Sequence, residues 1–157
     1  MKRCMFVDKS SVIRKVARRI LSGEGMFVAE AATGAAAIDL CATEMPDIIV
    51  VDSSLPDMQL TEFIGHIRSF GTAAMPLIIV LLVELDLGAI MRAKRAGAHG
   101  YLLKPFNRVQ LLDRFRAMQT QGASPAQQKT RRAPGLSMTD YEKGQALSRM
   151  SSGSRST

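Results

Sequence analysis

The sequence predicts an α/β fold: a five-stranded, doubly wound parallel sheet followed by a mostly disordered, basic C-terminal extension. Three observations carry this expectation. Short apolar runs alternate with helical patterns five times between residues 1 and 120. Two of those runs, IIVVD (48–52) and LIIVLLV (77–83), are almost continuously apolar, as strands covered on both faces by helices are. From residue 121 onward the pattern gives way to Gly, Ala, Ser, Pro, Gln, Lys and Arg, a composition without a core.

The elements follow in order. Arg3–Asp8 reads as a strand ending in an acid. Ser10–Ser22 is a helix, with Val12, Ile13, Val16, Ile20 and Leu21 on one face and Arg14, Lys15, Arg18 and Arg19 mostly on the other. Phe27–Ala32 is the second strand and Gly34–Glu44 an Ala-rich helix. Ile48–Asp52 is the third strand and Thr61–Phe70 the third helix. Leu77–Val83 is the fourth strand, and Asp86–Ala96 a helix stopped by Gly97. Gly100–Lys104 is the fifth strand, and Asn107–Gln119 the last helix, capped by Asn107 or the turn before it. Residues 1–120 therefore form one domain and residues 121–157 a separate extension. Within the extension, Thr139 with Glu142 is a capping-box signal for a short helix over 140–150.

Composition removes several function classes. The longest apolar run, Leu77–Val83, has seven residues, against roughly 18 for a membrane span, so membrane insertion is not expected. Asp8 interrupts the first apolar stretch, which argues against a secretory signal. Cys4 and Cys41 fall in a strand and a helix and form neither a disulfide framework nor a metal site; a reducing cytoplasm is expected. His66 and His99 are far apart with no third ligand, so neither a zinc centre nor a Ser-His hydrolase is expected, and no residue is assigned a catalytic role. The net charge is +7. Residues 1–120 carry 15 Lys+Arg and 12 Asp+Glu, whereas residues 121–157 carry 6 and 2. The extension holds over half of the net charge, which points to an anionic partner.

The residues at the strand ends point to a family. VDKSSVIRK (7–15), PDIIVVDSSLPDM (46–58) and AGAHGYLLKPF (96–106) surround Asp8, Asp52 and Lys104. These three motifs resemble the receiver domain of bacterial response regulators, similar to CheY, over about residues 2–120. The resemblance implies that Asp52 stands at the phosphoacceptor position, Asp8 at a Mg²⁺-binding acid, Lys104 at the phosphoryl-pairing lysine and Tyr101 at the reorienting aromatic. It also implies a partner surface over helix 4, strand 5 and helix 5, including Tyr101, Lys94 and Arg95. Two positions depart from the pattern: Lys9 replaces the second acid, and Leu81 replaces the Thr or Ser after strand 4. An ammonium in place of a carboxylate removes an oxygen ligand and shifts the local charge by two units, so Mg²⁺ is not expected there. Leu81 offers phosphoryl oxygens no hydroxyl, and phosphoryl transfer depends on positioning and electrostatics. Lys9 is instead placed to reach Asp8 or Asp52, and Asp8, Lys9, Asp52, Leu81 and Lys104 read as a vestigial phosphoacceptor pocket.

The extension supplies another input. Arg131 and Arg132, Asp140 and Tyr141, and Arg149 offer a guanine dinucleotide three kinds of contact. Arginine forks onto O6 and N7 or stacks on the base, a carboxylate accepts from ring N–H groups, and tyrosine adds a stacking face. A receiver lacking its metal and hydroxyl residues, joined to an arginine-rich extension, resembles the Cle proteins, the CheY-like cyclic di-GMP effectors. That resemblance implies a non-enzymatic cytoplasmic adaptor without a cofactor. Its extension would fold on binding cyclic di-GMP, and the liganded protein would act on a FliM-type flagellar motor switch protein at the pole, controlling motility and surface attachment. The alternative is a phosphorylatable single-domain response regulator accepting a phosphoryl group on Asp52. A third reading, a polycationic arm binding nucleic acid, predicts only non-specific, salt-sensitive association. No helix-turn-helix pattern follows the receiver-like region, and specific nucleic-acid recognition is not expected.

Overall fold

The computed structural model describes residues 2–71 and 75–121, with side chains through Met118. Five strand–helix pairs follow one another: β1 (Arg3–Val7), α1 (Ser11–Ser22), β2 (Phe27–Ala31), α2 (Gly34–Thr43), β3 (Ile48–Asp52), α3 (Leu60–Ser69), β4 (Leu77–Leu82), α4 (Leu87–Ala96), β5 (Gly100–Leu103) and α5 (Arg108–Gln121). The strands are parallel, in the order β2-β1-β3-β4-β5. β1 pairs with β2 on one side and β3 on the other, so the winding reverses there. The carboxyl ends of β1 and β3 consequently border the crevice where sheets of this kind hold ligands.

The two-residue period of the strands sorts the core into two layers. Met5, Val7, Ile49, Val51 and Val80 face Phe63, Ile64, Ile67 and Ile90 of α3 and α4. Cys4, Phe6, Val50, Ile79 and Leu81 face Leu21, Leu111 and Phe115 of α1 and α5. Cys4 and Cys41 lie in opposite layers, both as free thiols. Burial pushes the Cys41 thiol up to about 11 and the Cys4 thiol further still, so neither is a reactive thiolate.

Local chemistry sets the helix ends. Ser10 Oγ accepts the Ile13 N–H at 3.3 Å, Thr33 Oγ1 the Ala36 N–H at 3.1 Å, and Asp86 Oδ1 the Ala89 N–H at 3.0 Å. Asn107 and Gln110 bond each other's backbone N–H at 2.9 and 2.8 Å, a capping box that starts α5. Gly97 closes α4 at φ 128, a conformation that L side chains rarely adopt, and a Cβ there would lie 2.6 Å from Arg68 Cδ. The five expected strands and helices are all present. Asp8 and Lys104, expected as the last residues of their strands, each fall one residue beyond them, and α5 runs two residues past its expected end.

Candidate functional site

Strand alternation assembles the site. Asp8, Asp52 and Lys104 each follow by two a residue of the α1/α5 layer (Phe6, Val50 and Leu102), so all three continue that face past the apolar core. The β1–β3 register pairs Val7 with Val51 and brings the next residues, Asp8 and Asp52, alongside. On the other side, the Lys104 N–H bonds the Leu82 carbonyl at 2.7 Å, which fixes the start of the lysine side chain.

Lys104 Nζ donates to Asp8 Oδ2 at 2.9 Å and to Asp52 Oδ1 at 3.1 Å. Asp8 is 0% and Asp52 2% exposed, so both carboxylates depend on these bonds. Asp8 Oδ1 also accepts the Ser10 N–H at 2.8 Å, and Asp52 Oδ1 accepts the Ser54 N–H at 3.4 Å. Arg14 adds a bond to the Asp8 carbonyl at 2.5 Å and pairs with Glu30. Burial pushes the Lys104 ammonium down, but the hydrogen bonds and charges of Asp8 and Asp52 outweigh it and hold its pKa above the ordinary value. A raised lysine pKa stabilises the fold fully below the ordinary lysine value. The contribution is lost as pH rises through the folded-state value.

Lys9 does not take the place foreseen for it. It is exposed and makes no ion pair among the described residues; the cation between Asp8 and Asp52 is Lys104. Lys9 sits in a bend beyond the end of β1, where strand alternation no longer sets the direction of its side chain. Leu81 lies in register with Asp52 and is 0% exposed, and its carbonyl accepts the Ser53 N–H at 2.9 Å. The position beside Asp52 is therefore filled by an apolar side chain.

The donor set falls short of a Mg²⁺ site. Mg²⁺ takes near-octahedral oxygen ligands. Here two carboxylates are engaged by one ammonium, a second ammonium follows Asp8, and no group of three His, Cys, Asp or Glu side chains could hold a metal ion among the described residues.

Asp57 was not foreseen as a structural residue. Its two carboxylate oxygens accept the Gly34 and Ala35 N–H groups, each at 2.9 Å, tying the β3–α3 loop to the start of α2. Those N–H groups hold the Asp57 carboxyl below its ordinary value. Met58 packs where a Cβ on Gly34 would stand, 2.7 Å from its sulfur. An acid capping a helix 23 residues earlier leaves no local sequence signal.

Tyr101 is half-buried on β5, with the Arg114 guanidinium carbon 5.1 Å from its ring centroid. Lys94 and Arg95 are exposed on α4, and Lys94 borders a separate cavity with Arg68 and His99. Arg131, Arg132, Asp140, Tyr141 and Arg149 lie outside the described residues.

A parallel five-stranded α/β sheet with buried acids and a lysine at the carboxyl ends of β1, β3 and β5 defines a receiver-type signalling module. The response regulator receiver domain model matches residues 4–116, and the chain belongs to that family. The chain is 34% identical over 113 residues to the transcriptional regulatory protein KdpE of Mycobacterium tuberculosis, covering 72% of this chain and 49% of that one. It is 38% identical over 112 residues to the KDP operon transcriptional regulatory protein KdpE of Escherichia coli, covering 71% and 48%. It thus spans about half the length of these relatives. Among solved structures, the chemotaxis response regulator CheY4 of Vibrio cholerae matches with a TM-score of 0.71 and 30% identity, over 75% of this chain and 98% of that one. No helix among the described residues is long and apolar enough to cross a membrane.

Proposed function

We propose that this receiver domain is an adaptor whose input is cyclic di-GMP bound by the arginine-rich extension, not a phosphoryl group on Asp52. One observation carries the reading: Leu81, fully buried, occupies the strand-4 position beside Asp52. Phosphoryl oxygens would meet a hydrocarbon wall there. Lys104 is already bonded to both carboxylates, so a phosphoryl group or metal ion would have to compete with these bonds. The input must then arrive elsewhere. Arg131, Arg132, Asp140, Tyr141 and Arg149 have the chemistry to read guanine by forking, accepting and stacking.

Titration calorimetry of the full chain with cyclic di-GMP tests this directly. Saturable binding is expected, with cyclic di-AMP rejected. Arg132→Ala should lose roughly 1–3 kcal/mol, the scale of one bidentate guanine contact. Arg132→Lys should not restore it, because an ammonium neither forks nor stacks. No binding by the full chain would overturn the reading. Binding that fades steeply with salt and ignores base identity would indicate a polycationic arm instead.

The output proposed is a FliM-type flagellar motor switch protein, met through α4, β5 and α5. Tyr101→Ala, or charge reversal of Lys94 and Arg95, is expected to weaken binding to the switch protein while leaving nucleotide affinity unchanged. Unaltered pull-down by all three substitutions would place the interface elsewhere.

A second reading, a phosphorylatable receiver, is favoured by the grouping of Asp8, Asp52 and Lys104 and by family membership. Acetyl phosphate or beryllofluoride with Mg²⁺ separates the two. Modification of Asp52 with amide shifts spreading to β4 and β5 would support this second reading.

A further inference from the structure

At the amino ends of β4 and β5, on the edge of the sheet away from Asp52, a cavity of about 320 Å³ opens between the ends of α3 and α4. Its floor is Pro76, Ile78 and Ala98, and its rim carries Arg68, Lys94 and His99. No carboxylate lines it among the described residues. Among the described residues neither Arg68 nor Lys94 has an acidic partner. Arg68 is anchored: Nη1 donates to the Ala96 carbonyl at 3.1 Å, and the side chain crosses Gly97 where a Cβ would stand 2.6 Å away. His99 is also anchored. Its Nδ1 accepts the Ile78 N–H at 3.0 Å, and its own N–H bonds the Ile78 carbonyl at 2.8 Å. With Nδ1 engaged as an acceptor, the neutral ring carries its proton on Nε2, which remains a donor.

The simplest role for these cations is to neutralise the helix ends. Each helix C-terminus presents about half a negative charge. Two ends, α3 and α4, sum to about one charge, and Arg68 and Lys94 supply two. A net positive charge remains over a concave site fitted with N–H donors from three different elements. All three line one cavity rather than a flat surface. The volume suits a small ligand, at the lower limit of the range for such sites.

We propose that this cavity binds the phosphate group of a small phosphomonoester, held by Arg68, Lys94 and His99, independently of the Asp52 pocket and of the extension. Arg68 supplies a fixed guanidinium, Lys94 an adaptable ammonium and His99 an N–H donor. The apolar floor covers the esterified part.

The test is an NMR titration of the full-length protein with inorganic phosphate and with glycerol phosphate, at ionic strength held constant with chloride. The His99 ring is the reporter. Its pKa is held below the ordinary value by burial and by the Arg68 charge, and a bound dianion favours the protonated ring. Saturable shifts of the His99 ring protons are expected, with a titration midpoint that moves to higher pH. Lys94 is exposed and its side chain makes no hydrogen bond among the described residues, so Lys94→Glu should keep the fold while weakening binding about tenfold or more. Tighter binding of glycerol phosphate than of phosphate is expected, and equal or weaker binding would overturn recognition of the ester. Shifts that fail to saturate, that chloride reproduces, or that persist unchanged in a folded Lys94→Glu variant would overturn the proposal.

Discussion

Lys104→Ala is expected to destabilise the domain by about 3–5 kcal/mol, the cost of leaving buried charge without its partner. The geometry sets this scale. One ammonium bonds two carboxylates at 2.9 and 3.1 Å, and those carboxylates are 0% and 2% exposed. Their remaining bonds are to the Ser10 and Ser54 N–H groups, the latter long at 3.4 Å. Without Lys104, two acids face each other across adjacent strands with little else to hold them. Against a typical stability of about 5–15 kcal/mol, that loss is a large fraction. Urea unfolding measures it. A matching control is Lys104→Ala combined with Asp52→Asn, which removes one stranded charge and should recover part of the loss. A loss below about 1 kcal/mol would mean that the cluster is solvated like a surface pair, contrary to its burial.

The sheet and its elements were legible because two periods dominate the sequence. The runs at 48–52 and 77–83 are apolar on both strand faces, which only a sheet covered on both sides accommodates. Ser10, Asp86 and Asn107 marked helix starts through short-range hydrogen bonds that the structure contains. Site residues at strand ends were legible for the same reason, since their spacing is fixed by the strands that carry them. Side-chain reach was not. Lys9 looked able to reach Asp8 or Asp52, yet it stays exposed in the bend after β1, and Lys104, 96 residues from Asp8, makes the contact. Asp57 and Arg68 were missed for a related reason. One caps a helix 23 residues earlier and the other bonds a carbonyl 28 residues later, and neither relation has a local period.

Lys9→Asp combined with Leu81→Thr is expected to convert a pocket indifferent to Mg²⁺ into one that responds to it. In the native chain, millimolar Mg²⁺ should leave the amide resonances around Asp8 and Asp52 unmoved, because an ammonium follows Asp8 and Lys104 already engages both acids. Lys9→Asp changes the local charge by two units and adds a carboxylate to the two present. The charge change alone is worth about 1 kcal/mol per unit at contact distance in water, and more where solvent is excluded. A saturable Mg²⁺ response should appear with this single substitution. At a Mg²⁺ concentration about 100 times its Kd, the folded state should gain about 2.7 kcal/mol, read as a rise in Tm. Leu81→Thr then supplies the hydroxyl, at the cost of buried apolar contact and of a polar group that needs a partner, on the order of 1–3 kcal/mol. The double variant should therefore be less stable than the native chain without Mg²⁺ and regain stability with it. It should also gain the mass of one phosphoryl group from acetyl phosphate, at Asp52, where the native chain does not. If the native chain binds Mg²⁺ and accepts phosphate as readily as the double variant, Lys9 and Leu81 are not what sets the input, and the phosphorylatable reading takes precedence.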